Sequence, residues 1–150
     1  MLSNEKIPKS KYYLILIFTS IIILSISLES IFRAKDLSLF ENWLDINNMT
    51  PVDDYDFNQG FNSYIVIILS NMFLKIMIPA SLSIYSYFAY IRIRINRLFI
   101  FIWTVLLLGG LAYEVVGLNI GSIFFYINII AYIGLILTIV SLDSLIDRSK

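Results

Sequence analysis

Four long apolar runs constrain this chain more than any other feature of its sequence. Each run approaches or exceeds the roughly 20 residues that a helix needs to cross the hydrocarbon core of a bilayer. In lipid, each segment must satisfy its own backbone hydrogen bonds, which favours helix. The runs predict helices over 12–32, 64–91, 98–117 and 121–142, with a kink at Pro79. We therefore expect an all-α membrane protein with a single four-helix transmembrane domain spanning 1–150.

The composition excludes several other classes of protein. The chain is 59% hydrophobic, more than soluble domains of this length usually are, and its unbroken runs lack the alternation of barrel strands. With no Cys and no His, it lacks a thiol nucleophile, the ligands of Cys/His zinc sites and the commonest general base. Its formal net charge is zero, so no overall field attracts nucleic acid. We expect no enzyme activity, no cofactor and no nucleic-acid partner.

The basic residues predict the orientation, because Lys and Arg collect in short cytoplasmic flanks. They lie before the first helix and between the second and third helices, at Lys6, Lys9, Lys11, Arg92, Arg94 and Arg97. Both termini are then cytoplasmic, although Arg33 and Lys35 oppose this weakly. We expect Arg92, Arg94 and Arg97, which follow several aromatic residues, to anchor the chain to anionic lipid.

A long loop over 33–63 is expected outside the membrane after the first helix. Its segment Leu37–Ile46 has the pattern of an interfacial amphipathic helix. Candidate partner contacts in this loop are aromatic and acidic: Phe40, Trp43, Asp53, Asp54 and Asp56. The pattern D-x-D-x-N-x-G over 54–60 is similar to a calcium loop, but Ile65 stands where that motif needs its Glu. We therefore interpret the loop as solvated and acidic, and expect no metal site.

Ionisable residues inside the apolar runs form a second prediction, because such groups are costly in lipid and need partners. At about 1.5 Å per residue, four polar side chains lie roughly 21–25 Å from the inner ends of their helices. They are Glu29, Lys75, Glu114 and Asn128, and Asn71 lies one turn from Lys75. We expect Lys75 to pair with Glu114, Glu29 or both, while Arg33 can pair with Glu29 one turn away. This intramembrane polar layer could fix helix register, pair with a partner helix or relay a proton or ion.

The last third of the chain resembles a known family. The stretch FIFIWTVLLLGGLAYEVVGLNIGSIFFYINIIAYIGLILTIVSLDSLIDRSK, from Phe99 to Lys150, is similar to the C-terminal half of the SaeQ family of small four-helix accessory membrane proteins. The N-terminal half matches that family in topology only, and no catalytic motif transfers. The resemblance implies a regulatory subunit that contacts the membrane sensor histidine kinase of a two-component system, together with an extracytoplasmic lipoprotein. It would bias the kinase toward its phosphatase state.

Two other functions remain open from the sequence. The chain could be an immunity protein or an accessory protein of an ABC transporter, which need similarly few motifs. It could also form a small ion- or proton-conducting oligomer around its polar layer. The partner recovered from native membranes separates the first of these from the kinase hypothesis, and a flux measurement tests the second.

Overall fold

The computed structural model describes residues 6–47, 54–116 and 121–144, with only the backbone at 54–56. Within these ranges all regular secondary structure is helical: α1 (Lys9–Lys35), α2 (Leu37–Ile46), α3 (Asp54–Ile91), α4 (Arg97–Val116) and α5 (Ile123–Val140). Helices α1, α3, α4 and α5 are long and apolar enough to cross a membrane. The predicted all-α class and the four long apolar helices are confirmed.

The four long helices run alternately up and down. At one end of the bundle, Lys6 Nζ donates to the carbonyl of Ile91 at 2.7 Å, and Arg97 lies 3.5 Å from Asp143. At the other end, Tyr64 Oη donates to the carbonyl of Arg33 at 3.0 Å. We call the first the basic end and the second the α2 end. Helix α1 packs against both α3 and α5, and α4 packs mainly against α5.

The core lies along the shared seam of these helices. In α1 the buried positions recur every three or four residues, from Ile15 through Ile22 to Ile26, which places them on one helical face. They meet Leu82 of α3 and Leu135 of α5, both 0% exposed. The remaining faces expose many large apolar side chains, as expected for contact with lipid.

Most of the described residues in the region predicted as a loop, 33–63, are helical, and they include the helix predicted at Leu37–Ile46. Helix α1 continues to Lys35, and Asp36 caps α2 by accepting hydrogen bonds from the backbone amides of Ser38 and Leu39. Helix α3 then begins at Asp54, ahead of the predicted start at Tyr64. The physical reason is aromatic packing between α2 and the first turns of α3, which a hydropathy pattern does not report. The residues of the D-x-D-x-N-x-G pattern therefore lie in a helix, where the backbone cannot wrap a cation.

The other predicted boundaries differ by a few residues. Helix α4 begins at Arg97, where Asn96 Oδ1 accepts a hydrogen bond from the Phe99 amide at 2.8 Å. Residue 117, the predicted last residue of this helix, lies outside the described residues. Helix α5 is shorter at both ends than the predicted 121–142. Helix α3 continues through Pro79, as predicted; the kink itself stays a prediction.

Candidate functional site: the intramembrane polar layer

The polar layer takes one side chain from each of the four long helices: Glu29 from α1, Lys75 from α3, Glu114 from α4 and Asn128 from α5. Lys75 Nζ lies 2.6 Å from Glu114 Oε2. Asn128 Nδ2 donates to Glu114 Oε1 at 3.1 Å. Both carboxylate oxygens of Glu114 therefore accept a hydrogen bond from another helix. The structure thus forms the Lys75–Glu114 pair that the sequence suggested.

Glu29, Glu114 and Asn128 are buried because each lies on the inward stripe of its helix, and Lys75 is partly buried. In α4 the stripe runs Trp103, Leu107, Gly110 and Glu114, at helical spacing of four, three and four residues. Glu114 is 3% and Asn128 0% exposed. A carboxylate buried this deeply is strongly unfavourable unless it is paired and hydrogen-bonded, and Lys75 and Asn128 supply both compensations.

Two pockets adjoin the layer. The larger, of about 280 Å³, is lined by side chains of all four long helices, most of them polar: Glu29, Arg33, Asn71, Lys75, Tyr113, Glu114, Val116 and Phe125. The smaller, of about 130 Å³, lies on the α2 side and has Trp43 and Tyr64 in its wall. Glu29, Arg33, Asn71 and Lys75 line both pockets. The layer is therefore the wall of a polar space rather than a closed seam.

An apolar groove of about 270 Å³ lies between α3 and α4, next to the larger pocket. Leu74, Ile78, Gly109, Gly110 and Tyr132 line it together with Lys75 and Tyr113. A Cβ added at Gly110 would lie 3.0 Å from Tyr132 Oη, whereas one at Gly109 would meet nothing within 4 Å. Gly110 thus admits the buried Tyr132 ring, and Gly109 leaves the groove open.

Sequence reasoning missed Tyr113 and Tyr132 as neighbours of the layer. Tyr132 lies one helical turn from Asn128 and is 1% exposed. A tyrosine four residues from an intramembrane Asn could have indicated it. Tyr113 adjoins Glu114 in sequence but belongs to the exposed side of α4, and only the position of α3 brings it to the pocket.

Of the residues predicted to contact a partner at the α2 end, Phe40 and Trp43 have described side chains, and neither is fully exposed. Phe40 is 1% exposed, because its ring packs edge-on against Phe57 and Phe61, with centroids 5.3 Å away in both cases. It stabilises the packing of α2 on α3 and is not a surface contact, so that expectation was wrong. Trp43 is partly buried and lines the smaller pocket. Asp53 and the side chains of Asp54 and Asp56 lie outside the described residues.

The electrostatics at this end centre on Asp36. A hydrogen bond from the Ser38 hydroxyl lowers the pKa of the Asp36 carboxyl below its ordinary value. Ser38 Oγ lies 2.6 Å from Asp36 Oδ1. The Ser38 and Leu39 amides also donate to this carboxyl. The ionised form of Asp36 is therefore the one that caps α2.

The three arginines lie together at the basic end. Arg92 and Arg94 are exposed in the short connection between α3 and α4, and Arg97 opens α4. Beside them the Tyr85 and Phe99 rings stack with centroids 5.5 Å apart, and Tyr85 lies 5.9 Å from Trp103. This cluster joins α3 to α4; the role of the arginines as a lipid anchor stays a prediction.

Comparisons with protein-family models, curated proteins and solved structures find no match. Within the described ranges, no three Asp or Glu residues cluster closely enough to hold a metal ion. Chemically, the larger pocket is lined by two cations, Arg33 and Lys75, and two carboxylates, Glu29 and Glu114, which suits binding of a group with charges of both signs.

Proposed function

We propose that this chain is a non-catalytic accessory subunit of the bacterial cytoplasmic membrane that binds a sensor histidine kinase, together with an extracytoplasmic lipoprotein. It would modulate the balance between kinase and phosphatase activity. The proposal is supported by the four long apolar helices and by the resemblance of Phe99–Lys150 to the SaeQ family. A bundle that binds one kinase conformation more tightly shifts the kinase population by that difference in affinity.

The outward face of α3 carries the proposal. Only 17% of the most apolar window of this helix is buried within the bundle, less than in α1, α4 or α5. Ser63, Ser70 and Ser81 are all exposed on it. Their separations of seven and eleven residues place them on one face of a helix with 3.6 residues per turn. Small and hydroxyl residues are typical of helix–helix contacts in membranes, so this face suits a partner transmembrane helix.

The proposed orientation places the basic end in the cytoplasm and α2 outside, where a lipoprotein can reach it. Because the chain has no Cys, single-cysteine variants report topology directly. A membrane-impermeant thiol reagent on intact cells should label Gln59→Cys and leave Ser144→Cys unlabelled until lysis. The reverse pattern would place the basic end outside and refute the orientation.

The partner is tested by cross-linking in native membranes followed by identification of the captured protein. Ser70→Cys should give a cross-link to a sensor kinase, with a lipoprotein in the same complex. Leu137→Cys, on the 64% exposed outer face of α5, is the matched control and should give none. Capture of a transporter subunit or a toxin would favour the ABC-transporter or immunity alternative. Recovery of the chain alone would contradict every accessory function.

The polar pocket also supports a second candidate function, an ion- or proton-conducting oligomer, because charged groups line a space at membrane depth. Purified protein in proteoliposomes would then show flux, and Glu114→Gln would abolish it. The accessory-subunit proposal expects the same low flux from the natural chain, from Glu114→Gln and from empty liposomes.

A further inference from the structure

We propose that the space between α3 and α4 binds one phospholipid whose headgroup carries both a phosphate and a primary ammonium, the chemistry of phosphatidylethanolamine. The larger polar pocket and the apolar groove share Lys75 and Tyr113 in their walls. A polar compartment therefore adjoins an apolar one, as the headgroup of a lipid adjoins its acyl chain. The site requires membrane insertion, but no protein partner is needed for the lipid to bind or for the test below.

The headgroup chemistry follows from the charges of the pocket. Arg33 and Lys75 provide two cations, and Glu29 and Glu114 two carboxylates. The Lys75 ammonium has three donors, and Glu114 takes one of them at 2.6 Å, which leaves donors for a phosphate oxygen. A carboxylate has about four acceptor positions, so Glu114 can accept from a ligand ammonium while keeping Lys75 and Asn128. An ethanolamine ammonium donates N–H bonds, whereas a choline headgroup has none to donate.

The depth and direction of the groove match a lipid of the leaflet at the α2 end. Helices α3 and α4 are joined by the Lys75–Glu114 pair near that end and by Tyr85, Phe99 and Trp103 near the basic end. The groove extends from the level of Lys75 toward the basic end, along Ile78 of α3 and Gly109 and Gly110 of α4. An acyl chain that leaves the headgroup pocket past Lys75 therefore runs toward the bilayer centre, as a lipid tail must.

Gly109 provides the test, because a side chain at this position enters the groove without meeting protein atoms near its Cβ. Gly109→Leu should fill the groove and block the acyl chain. Ala112→Leu adds similar bulk to an exposed position of α4 that does not line the groove, and is the matched control. Circular dichroism and thermal unfolding of both variants confirm that they fold.

The measurement is lipid retention on the detergent-purified full chain by native mass spectrometry, with phosphatidylethanolamine, phosphatidylcholine and phosphatidylglycerol offered at equal concentration. We expect about tenfold tighter retention of phosphatidylethanolamine, equivalent to about 1.4 kcal/mol. The retention should be lost in Gly109→Leu and kept in Ala112→Leu. Glu29→Gln should reduce the preference over phosphatidylcholine.

Three results would overturn the proposal. The first is equal retention of the three lipids by the natural chain. The second is undiminished retention by Gly109→Leu, which would place the lipid elsewhere on the bundle. The third is equally tight binding of glycerophosphoethanolamine, the headgroup without acyl chains, to the natural chain and to Gly109→Leu; the ligand would then be a soluble phosphoamine rather than a lipid.

Discussion

Replacing Lys75 by Met removes the only cation that the structure bonds to Glu114 among the described residues. Met keeps most of the length of the Lys side chain and its apolar stem, so the change isolates the charge. Glu114 then stays buried at 3% exposure, with Asn128 as its remaining hydrogen-bond donor among those residues. Removing one partner of a buried ion pair destabilises soluble proteins by about 3–5 kcal/mol.

The expected loss here is smaller, about 2 kcal/mol, because polar pairs in membrane proteins contribute less than in soluble cores. The Lys75 side chain is also 17% exposed, so its charge is not fully removed from the adjoining polar pocket. Adding Glu114→Gln to Lys75→Met should restore most of the lost stability, because the uncompensated carboxylate is then gone. A double-mutant cycle separates the pair energy from the effects of each change.

The assay is unfolding by added SDS in mixed micelles, followed by the fluorescence of the two tryptophans. Phe73→Met is the control: Phe73 lies two residues before Lys75, is 70% exposed, and its replacement should change the unfolding free energy by no more than about 0.5 kcal/mol. Equal effects of Lys75→Met and Phe73→Met would show that the ion pair does not stabilise the bundle. A double variant no more stable than Lys75→Met would show that the buried carboxylate is not the cause of the loss.

Two further predictions concern the α4–α5 contact and the α2 cap. Gly110→Ala should lower stability by about 1–3 kcal/mol, because the added Cβ would lie 3.0 Å from Tyr132 Oη and the buried ring would have to move. Gly109→Ala should raise it by up to about 1 kcal/mol through helix propensity, and the opposite order in thermal unfolding would contradict the packing. The pKa of Asp36 is lowered in the folded state, so its capping contribution is present above the unfolded pKa and is lost as pH falls through the folded pKa. Trp43 fluorescence should report this acid transition, and Asp36→Asn should remove it.

The membrane part of the fold could be predicted because a helix that crosses the bilayer must have a minimum length and a mostly apolar composition. The same constraint located the polar layer. Glu29, Lys75, Glu114 and Asn128 lie at similar distances along apolar runs, and a fixed helical rise turns those distances into one depth. Which of these residues pair depends on which helices are adjacent in the bundle, and the depth of a residue in the membrane does not show this. The sequence left Glu29 and Glu114 as alternative partners of Lys75, and the structure bonds Lys75 to Glu114.

The α2 end could not be predicted because its helices depend on tertiary contacts. The first turns of α3 are polar and acidic, which by composition indicates a loop. They are helical where Phe57 and Phe61 pack against Phe40 of α2. Likewise, a Gly pair inside α4 indicates close helix approach, but only the position of Tyr132 shows that Gly110 makes the contact and that Gly109 opens onto the groove.

Helix α3 connects the two proposed binding functions. Its serine face lies outward, and Lys75 and Ile78 border the groove on the side toward α4. A partner helix that displaces α3 changes the width of the groove, and a lipid in the groove changes the position of α3. Linkage requires these effects to be reciprocal, so that the lipid alters partner affinity by the same factor as the partner alters lipid affinity. Cross-linking yield from Ser70→Cys should therefore change when Gly109→Leu is added and stay constant with Ala112→Leu; an equal yield in all three variants would show that the two sites are independent.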